Sequence, residues 1–302
     1  MNKFRNLVRI LPTFVALVAL ASAAALVLQF GSKHEAVSAG SLPAESSSRV
    51  LRSTFWSPAL AREMPYEVYL PQGYDSGTTA RYPVLYMLHG LGGNQTDWEK
   101  DGLFSTATRL IASGEIPPMI IVTPAGDSGY WIDQANNGPR YGTYVSGDLV
   151  SLIDRDYRTL PNRTARAIGG MSMGGHGALQ LALNNPGEFG IVGAHSVALR
   201  RKDQAFSFFG DTAYFQSHDP VSLVQKQPAL ARQLTLSIDI GRSDEWNAAA
   251  TQFHNQLVGL NVQHVWSSTD GGHDAAYWSS HVADYLRFYG TAFEAASAAA
   301  YS

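Results

Sequence analysis

The stretch that decides the fold is Gly169-Gly170-Met171-Ser172-Met173-Gly174-Gly175-His176-Gly177, which contains a G-x-S-x-G motif centred on Ser172. Residues 165–168 before it have the composition of a short strand, and residues 178–183 after it have the composition of a helix. A strand, a sharp turn and a helix are the context in which a nucleophilic serine is exposed at the edge of a sheet. The flanking glycines leave room for the strained backbone of such a turn. Alone, the motif is weak evidence, because a glycine-rich strand-to-helix turn without chemistry also fits it, so its interpretation depends on the rest of the chain.

Composition and charge narrow the classes of protein to consider. The chain has 302 residues, of which 45% are hydrophobic and 16% charged, as in globular proteins with a large core. The formal net charge is −3, and subtracting the four basic residues among the first 33 leaves −7 on the remainder. An acidic body argues against nucleic acid as a partner. Cysteine is absent and no H-E-x-x-H motif occurs, so we expect no disulfide, metal or cofactor.

The N-terminal 33 residues have the pattern of a targeting segment. Lys3, Arg5 and Arg9 precede an uncharged, mostly apolar run over residues 10–30. Two stretches, Ala21-Ser22-Ala23 and Val37-Ser38-Ala39, offer the small residues that signal peptidases require. The run is also long enough to span a bilayer. Residues 1–33 are therefore a cleaved signal peptide or a retained membrane anchor, residues 34–49 a linker, and the protein secreted or extracytoplasmic. A membrane contact is expected only through this segment.

From residue 50 onward, short apolar runs alternate with segments of helical spacing. Strands are predicted at 66–70, 83–88, 119–122, 165–168, 191–194, 234–240 and 262–266, and helices at 104–112, 144–156, 178–183, 246–260 and 277–293. Repeated β–α units favour a mostly parallel sheet with helices on both faces in a single domain over 50–293, followed by a tail over 294–302. The segment over 196–233 is irregular and aromatic, which fits a cover over an active site or the plain packing of a long loop.

A serine hydroxyl needs a base to take its proton and an acid to orient that base. The best acid after Ser172 is Asp244, which follows the end of a predicted strand, where α/β sheets place catalytic groups. Asp239, inside the strand, and Glu245, one residue further on, compete with it. The best base is His273 in the glycine-rich turn Asp270-Gly271-Gly272-His273-Asp274; the competitors are His264 in a strand, His281 on the last helix and His176 beside the serine. The order Ser…Asp…His is that of the α/β-hydrolases.

The oxyanion of an acyl-transfer transition state needs backbone N–H donors. We expect one from Met173, directly after the serine, and another from Leu91 in the turn His89-Gly90-Leu91-Gly92-Gly93. Trp98 and Trp131, and with them Trp278, are candidates for contacts to an aromatic or long acyl chain, although large aromatic residues are as often part of a core.

Four motifs together resemble a known family. They are Tyr69-Leu70-Pro71, the run from Pro83 to Gly90, the run from Gly170 to Gly175, and Gly272-His273-Asp274. They are similar to the esterase D-type "putative esterase" family, which includes feruloyl esterases, S-formylglutathione hydrolases and antigen 85 mycolyltransferases. The resemblance implies an α/β-hydrolase fold over almost the whole chain after residue 50. It also implies that Ser172, Asp244 and His273 form a triad, with Leu91 and Met173 as the oxyanion hole.

These features predict an exported serine esterase that hydrolyses carboxylic esters through an acyl-enzyme. Its substrate would be a small-molecule or polysaccharide-linked ester. One alternative is an acyltransferase of the mycolyltransferase type, in which a sugar or lipid hydroxyl replaces water. A second alternative is a non-catalytic cell-surface binding module on a hydrolase fold.

Overall fold

The computed structural model describes residues 47–76 and 79–300. Within these ranges the chain forms an eight-stranded sheet of order β1-β2-β4-β3-β5-β6-β7-β8. The strands are β1 Arg49–Ser57, β2 Arg62–Leu70, β3 Val84–Leu88, β4 Ile120–Pro124, β5 Arg166–Met171, β6 Ile191–His195, β7 Thr235–Gly241 and β8 Val265–Thr269. β1, β2 and β4 pair antiparallel, and all pairs from β4 onward are parallel. The predicted α/β class with a mostly parallel sheet is confirmed.

Ten α-helical segments within the described ranges connect and cover these strands. They are α1 Asp97–Lys100, α2 Leu103–Ala112, α3 Tyr141–Thr143, α4 Val150–Asp156, α5 Met173–Asn184, α6 Thr212–Gln216, α7 Pro220–Lys226, α8 Pro228–Ala231, α9 Asn247–Gly259 and α10 Ala275–Ala300. A π-helical stretch over Tyr144–Leu149 joins α3 to α4. Of the helices in these ranges, none combines the length and hydropathy needed to cross a membrane.

The two faces of the sheet bury separate hydrophobic clusters. Strand β3 shows the division, because Leu85 and Met87 point into the cluster beneath α2 and α10, whereas Tyr86 and Leu88 point into the cluster that contains α4, α5 and α9. All five residues of β3 are buried, which explains why the strand is apolar throughout rather than alternating. The parallel strands direct their carboxyl ends to one edge of the sheet, where the turns after β3, β5, β7 and β8 meet.

Four chain segments differ from the sequence predictions or lie at least partly beyond what the structure describes. The predicted targeting segment over 1–33, and the linker over 34–49 except for its last three residues, lie outside the described residues, and Arg49 already begins β1. Helix α10 continues to Ala300, so most of the segment predicted as a tail over 294–302 is helical. Its alanine-rich sequence explains the continuation, since alanine has the highest helix propensity. The segment over 196–233 contains 3₁₀ turns and α6 to α8.

Candidate functional site

Ser172 occupies the turn between β5 and α5 in a conformation that only a tightly constrained residue adopts. Its φ and ψ are 56° and −115°, and its N–H donates to the carbonyl of His195 at 2.8 Å. A Cβ at Gly170 would lie 2.6 Å from the Gly174 carbonyl carbon, and one at Gly174 would lie 2.3 Å from the Leu88 carbonyl oxygen. A side chain at either position would therefore collide with neighbouring backbone atoms, so both must be glycine. This explains why the G-x-S-x-G motif is present in the sequence.

His273 and Asp244 come to Ser172 from the turns after β8 and β7. The Nε2 atom of His273 lies 2.8 Å from the Ser172 Oγ, and its Nδ1 atom lies 2.8 Å from the Asp244 Oδ2. Because a carboxylate only accepts, Nδ1 carries the proton and Nε2 is left to accept from the serine hydroxyl. The other Asp244 oxygen accepts from the Trp246 N–H at 2.8 Å, and the carboxylate is fully buried. This arrangement orients the imidazole so that it can take a proton from the serine.

The competing acids lie elsewhere. Asp239 has its carboxylate beneath the sheet edge, 2.6 Å from the Nδ1 of His195, rather than beside His273. Its other oxygen accepts from the hydroxyls of Tyr277 at 3.1 Å and Tyr285 at 2.9 Å. Glu245 is exposed on the rim of the cavity in front of Ser172. Of the three acids considered from the sequence, only Asp244 contacts His273.

The competing histidines also have other partners. His264 pairs with His254, Nε2 to Nδ1, at 2.8 Å, and His281 contacts the Thr269 hydroxyl at 2.9 Å. His176 is buried behind the serine against Tyr130, and burial lowers its pKa to about 3. It is therefore a neutral core residue at ordinary pH.

The turn after β3 is held in a fixed orientation by His89, which sequence reasoning did not identify. The Gly126 N–H donates to the His89 Nε2 at 2.9 Å, so Nδ1 carries the ring proton and donates to the Gly90 carbonyl at 2.7 Å. A second donor to this carbonyl is the Gly93 N–H at 3.1 Å. In a trans peptide the Leu91 N–H points away from the Gly90 carbonyl, and hence away from both donors.

Met173 supplies a second N–H beside the serine. It is the first residue of α5, so its N–H has no acceptor within the helix. The Leu91 turn lines the same cavity as Ser172, and a Cβ at Gly90 would lie 3.5 Å from the serine Cβ. The two residues whose N–H groups the sequence analysis selects thus lie near Ser172, Met173 as its chain neighbour and Leu91 in the wall of the same cavity.

A cavity of about 260 Å³ opens in front of Ser172 and His273. Trp98 and Trp131, predicted to bind substrate, do not line it. Both side chains are completely buried, and their indole N–H groups donate to the carbonyls of Leu88 at 3.0 Å and His89 at 3.3 Å. They pack beneath the β3 turn, so their assignment as substrate contacts is corrected to core residues.

Other aromatic residues line this cavity instead. Trp278 packs edge-on against His273 with ring centroids 5.3 Å apart, and Trp246 and Tyr130 form further parts of the wall. Trp246 follows Asp244 by two residues, so its position in the sequence next to the candidate acid could have predicted that it lines the cavity. Arg200 also lines the cavity. It comes from the segment predicted to cover the site, whereas three phenylalanines of that segment, Phe206, Phe208 and Phe209, pack around Tyr130.

In residues 47–76 and 79–300, no group of three or more His, Asp or Glu side chains has a geometry that could hold a metal ion.

Comparison with known proteins shows the family to which the chain belongs. The family model described as "Putative esterase" matches residues 57–289. The chain belongs to this family. It is an ester hydrolase with an α/β-hydrolase fold. A solved structure of a ferulic acid esterase superposes with a TM-score of 0.74 and 29% identity, covering 82% of this chain and 99% of that one.

Two curated relatives align with this chain over very different shares of their own lengths. S-formylglutathione hydrolase of Bos taurus is 28% identical in an alignment of 259 positions, which covers 76% of this chain and 89% of that protein. An endo-1,4-beta-xylanase/feruloyl esterase of Xylanibacter ruminicola is 34% identical in an alignment of 147 positions, which covers 46% of this chain. This match covers only 20% of the length of the Xylanibacter protein.

Proposed function

We propose that this esterase uses Ser172 as its nucleophile, with His273 as general base and Asp244 as the acid that orients it, and that it hydrolyses small carboxylic esters through an acyl-enzyme. The observation that carries the proposal is the position of His273, whose two ring nitrogens each lie 2.8 Å from a partner, Ser172 on one side and Asp244 on the other.

In the first half-reaction the Ser172 Oγ attacks the ester carbonyl carbon while its proton passes to the Nε2 of His273. The imidazolium that forms is stabilised by the buried Asp244 carboxylate. The carbonyl oxygen becomes an oxyanion between the N–H groups of Leu91 and Met173, for which His89 holds the Leu91 peptide in orientation. The bond to the alkoxy group then breaks, and His273 returns its proton to the departing alcohol.

In the second half-reaction a water molecule attacks the acyl-serine. His273 accepts a proton from the water, the same two N–H groups stabilise the second oxyanion, and the acid is released as the proton returns to Ser172. No step requires a metal ion, so we expect the rate to be the same with and without EDTA.

Labelling and kinetics with Ser172→Ala test this proposal. The wild-type protein should react stoichiometrically with a fluorophosphonate and hydrolyse p-nitrophenyl esters, and the Ala variant should do neither while keeping the wild-type melting temperature. The expected loss is on the order of 10⁶ in kcat. A folded Ser172→Ala protein with more than a few per cent of the wild-type activity would overturn the assignment. A panel of p-nitrophenyl esters of increasing chain length, with methyl ferulate, defines the acyl group.

Export is the second part of the proposal, and it depends on the sequence of the first 33 residues. Lys3, Arg5 and Arg9 precede the apolar run and only Lys33 follows it closely, so the positive-inside rule directs the catalytic domain out of the cytoplasm. Fusion of residues 1–45 to alkaline phosphatase, which is active only after export, should give phosphatase activity. A fusion that is inactive while the same fusion to a cytoplasmic reporter is active would refute export.

A further inference from the structure

Arg200 lies in the wall of the cavity in front of Ser172 and is held there by aromatic side chains. Its Nε donates to the Tyr130 hydroxyl at 2.6 Å. Its guanidinium carbon lies 4.8 Å from the centre of the Phe206 ring and 5.1 Å from that of Trp246. These contacts restrict a side chain that would otherwise be flexible, so the position of the positive charge is well defined.

The charge of Arg200 has no carboxylate partner within the described residues. No Asp or Glu oxygen of those residues lies within 4.0 Å of it, whereas the neighbouring Arg201 pairs with Asp203 at 2.8 Å. Since Nε is bonded to Tyr130, the edge formed by the two Nη groups remains as a planar fork that matches a carboxylate. A partly buried cation without a counter-ion is costly, which favours a role in binding an anion.

Tyr130, which fixes Arg200, is itself held in a strained conformation. Tyr130 and Trp131 have φ values of 54° and 57°, a left-handed conformation that costs residues other than glycine about 1–3 kcal/mol each. Tight packing maintains it, since a Cβ at Gly126 or Gly177 would lie 2.2 Å or 2.6 Å from the Trp131 ring. Strain of this kind is concentrated at functional sites. Burial raises the pKa of Tyr130, so its hydroxyl stays neutral and can accept from Arg200.

We propose that Arg200, fixed by Tyr130, binds a carboxylate of the substrate, so that the enzyme prefers esters that carry a carboxylate in their acyl or alcohol part. The inference rests on the proposed function, because it assigns the cavity in front of Ser172 to the substrate. Two carboxylates, Asp97 and Glu245, also line this cavity and oppose the approach of an anion. Asp97 pairs with Lys100 at 3.0 Å, and Arg200 is the cation in the lining that offsets the remaining repulsion.

Two matched substrate pairs test this preference. p-Nitrophenyl hydrogen adipate and p-nitrophenyl hexanoate share a six-carbon acyl chain, and only the first carries a carboxylate. 4-Acetoxybenzoate and its methyl ester place the charge difference in the alcohol part instead. For at least one pair, Arg200→Gln should lower the ratio of kcat/KM for the anionic to the neutral ester about ten- to hundredfold, the range for a hydrogen bond to a charged group. Arg200→Lys should retain part of the preference, and Glu245→Gln should increase it.

Arg201→Gln is the matched control, because Arg201 is one residue away, has the same charge and already pairs with Asp203. It should leave both ratios at the wild-type value. An unchanged ratio in Arg200→Gln for both pairs, or an equal fall in Arg201→Gln, would overturn the proposal.

A binding measurement separates this inference from the proposed function. Monomethyl adipate should bind to the Ser172→Ala protein more tightly than dimethyl adipate in calorimetry, and Arg200→Gln in that background should remove the difference. This experiment needs no turnover. Wild-type protein that hydrolyses neither the anionic nor the neutral esters would refute the proposed function, whereas equal binding of the two adipates would refute only the role of Arg200.

Discussion

Replacing Asp244 by Asn should abolish most of the activity by fixing the wrong tautomer of His273. In the native site one Asp244 oxygen accepts from the Trp246 N–H at 2.8 Å and the other accepts from the His273 Nδ1 at 2.8 Å. The amide oxygen of an Asn would stay with the backbone N–H, which can only donate. The amide NH₂ would then face Nδ1, which must become an acceptor, so the ring proton moves to Nε2.

The size of the effect follows from this change of roles. A proton on Nε2 prevents His273 from accepting the proton of Ser172, although all three side chains keep their positions. A tautomer error of this kind lowers kcat about 10⁴-fold, which corresponds to about 5.5 kcal/mol of transition-state stabilisation. Asn has nearly the same volume as Asp, so the fold should be retained.

Asp239→Asn is the matched control, since it makes the same chemical change in another buried carboxylate. Asp239 accepts from His195, Tyr277 and Tyr285 but does not contact His273. An amide NH₂ there would face the two tyrosine hydroxyls, and each polar group left unsatisfied costs about 1–3 kcal/mol. We expect a lower melting temperature and a kcat within tenfold of the wild-type value.

The assay is the hydrolysis of p-nitrophenyl butyrate by both variants, with the fraction of folded protein measured by circular dichroism and the melting temperature by calorimetry. A folded Asp244→Asn variant that retains a tenth of the wild-type kcat would refute the assigned role. A larger loss of kcat in a folded Asp239→Asn variant would transfer that role to Asp239.

Three further predictions follow from the packing. Gly174→Ala should prevent correct folding of the turn, because its Cβ would lie 2.3 Å from the Leu88 carbonyl oxygen; a soluble, fully active variant would contradict this. Burial lowers the pKa of His176 to about 3, whereas a histidine in the unfolded chain has a pKa near 6.5. The free energy of unfolding should therefore be unaffected by this residue above pH 6.5 and should decrease as the pH falls toward 3, by about 2 kcal/mol at pH 5. His176→Leu should remove that part of the slope in urea titrations at several pH values, and an unchanged slope would count against it. Trp98→Phe should lower the melting temperature and leave KM unchanged, whereas Trp246→Ala should change KM; the reverse pattern would restore Trp98 as a substrate contact.

The parts of the site that the sequence could predict are those in which backbone geometry dictates the residue type. A serine turn between a strand and a helix needs glycines at fixed offsets, and the structure accounts for both Gly170 and Gly174 by close backbone approach. The order of Ser172, Asp244 and His273 could likewise be read from turns that follow strands, because parallel strands end at one edge of the sheet. The same logic predicted most of the strands and the class of the fold.

Side-chain direction was harder to predict, because it depends on packing between elements that are distant in sequence. Trp98, Trp131 and Trp246 all lie near predicted turns. In the structure Trp98 and Trp131 are buried, whereas Trp246 lines the cavity. The difference lies in the partners. The indole N–H groups of Trp98 and Trp131 donate to carbonyls at the end of β3, so burying these side chains leaves no donor unsatisfied. No local sequence pattern predicts these two hydrogen bonds.

The strained pair Tyr130 and Trp131 explains why Arg200 could not have been recognised as a site residue. Neither residue is of a type that adopts positive φ readily, so local propensity predicts an ordinary loop. The Trp131 side chain occupies the space where a Cβ at Gly126 or at Gly177 would lie, and this packing maintains the conformation. The two strained residues place the Tyr130 hydroxyl against Arg200 at 2.6 Å, 70 positions further along the chain. The specificity that we propose for the cavity thus depends on a contact between residues 70 positions apart, whereas the sequence pattern of the serine turn lies within nine consecutive residues.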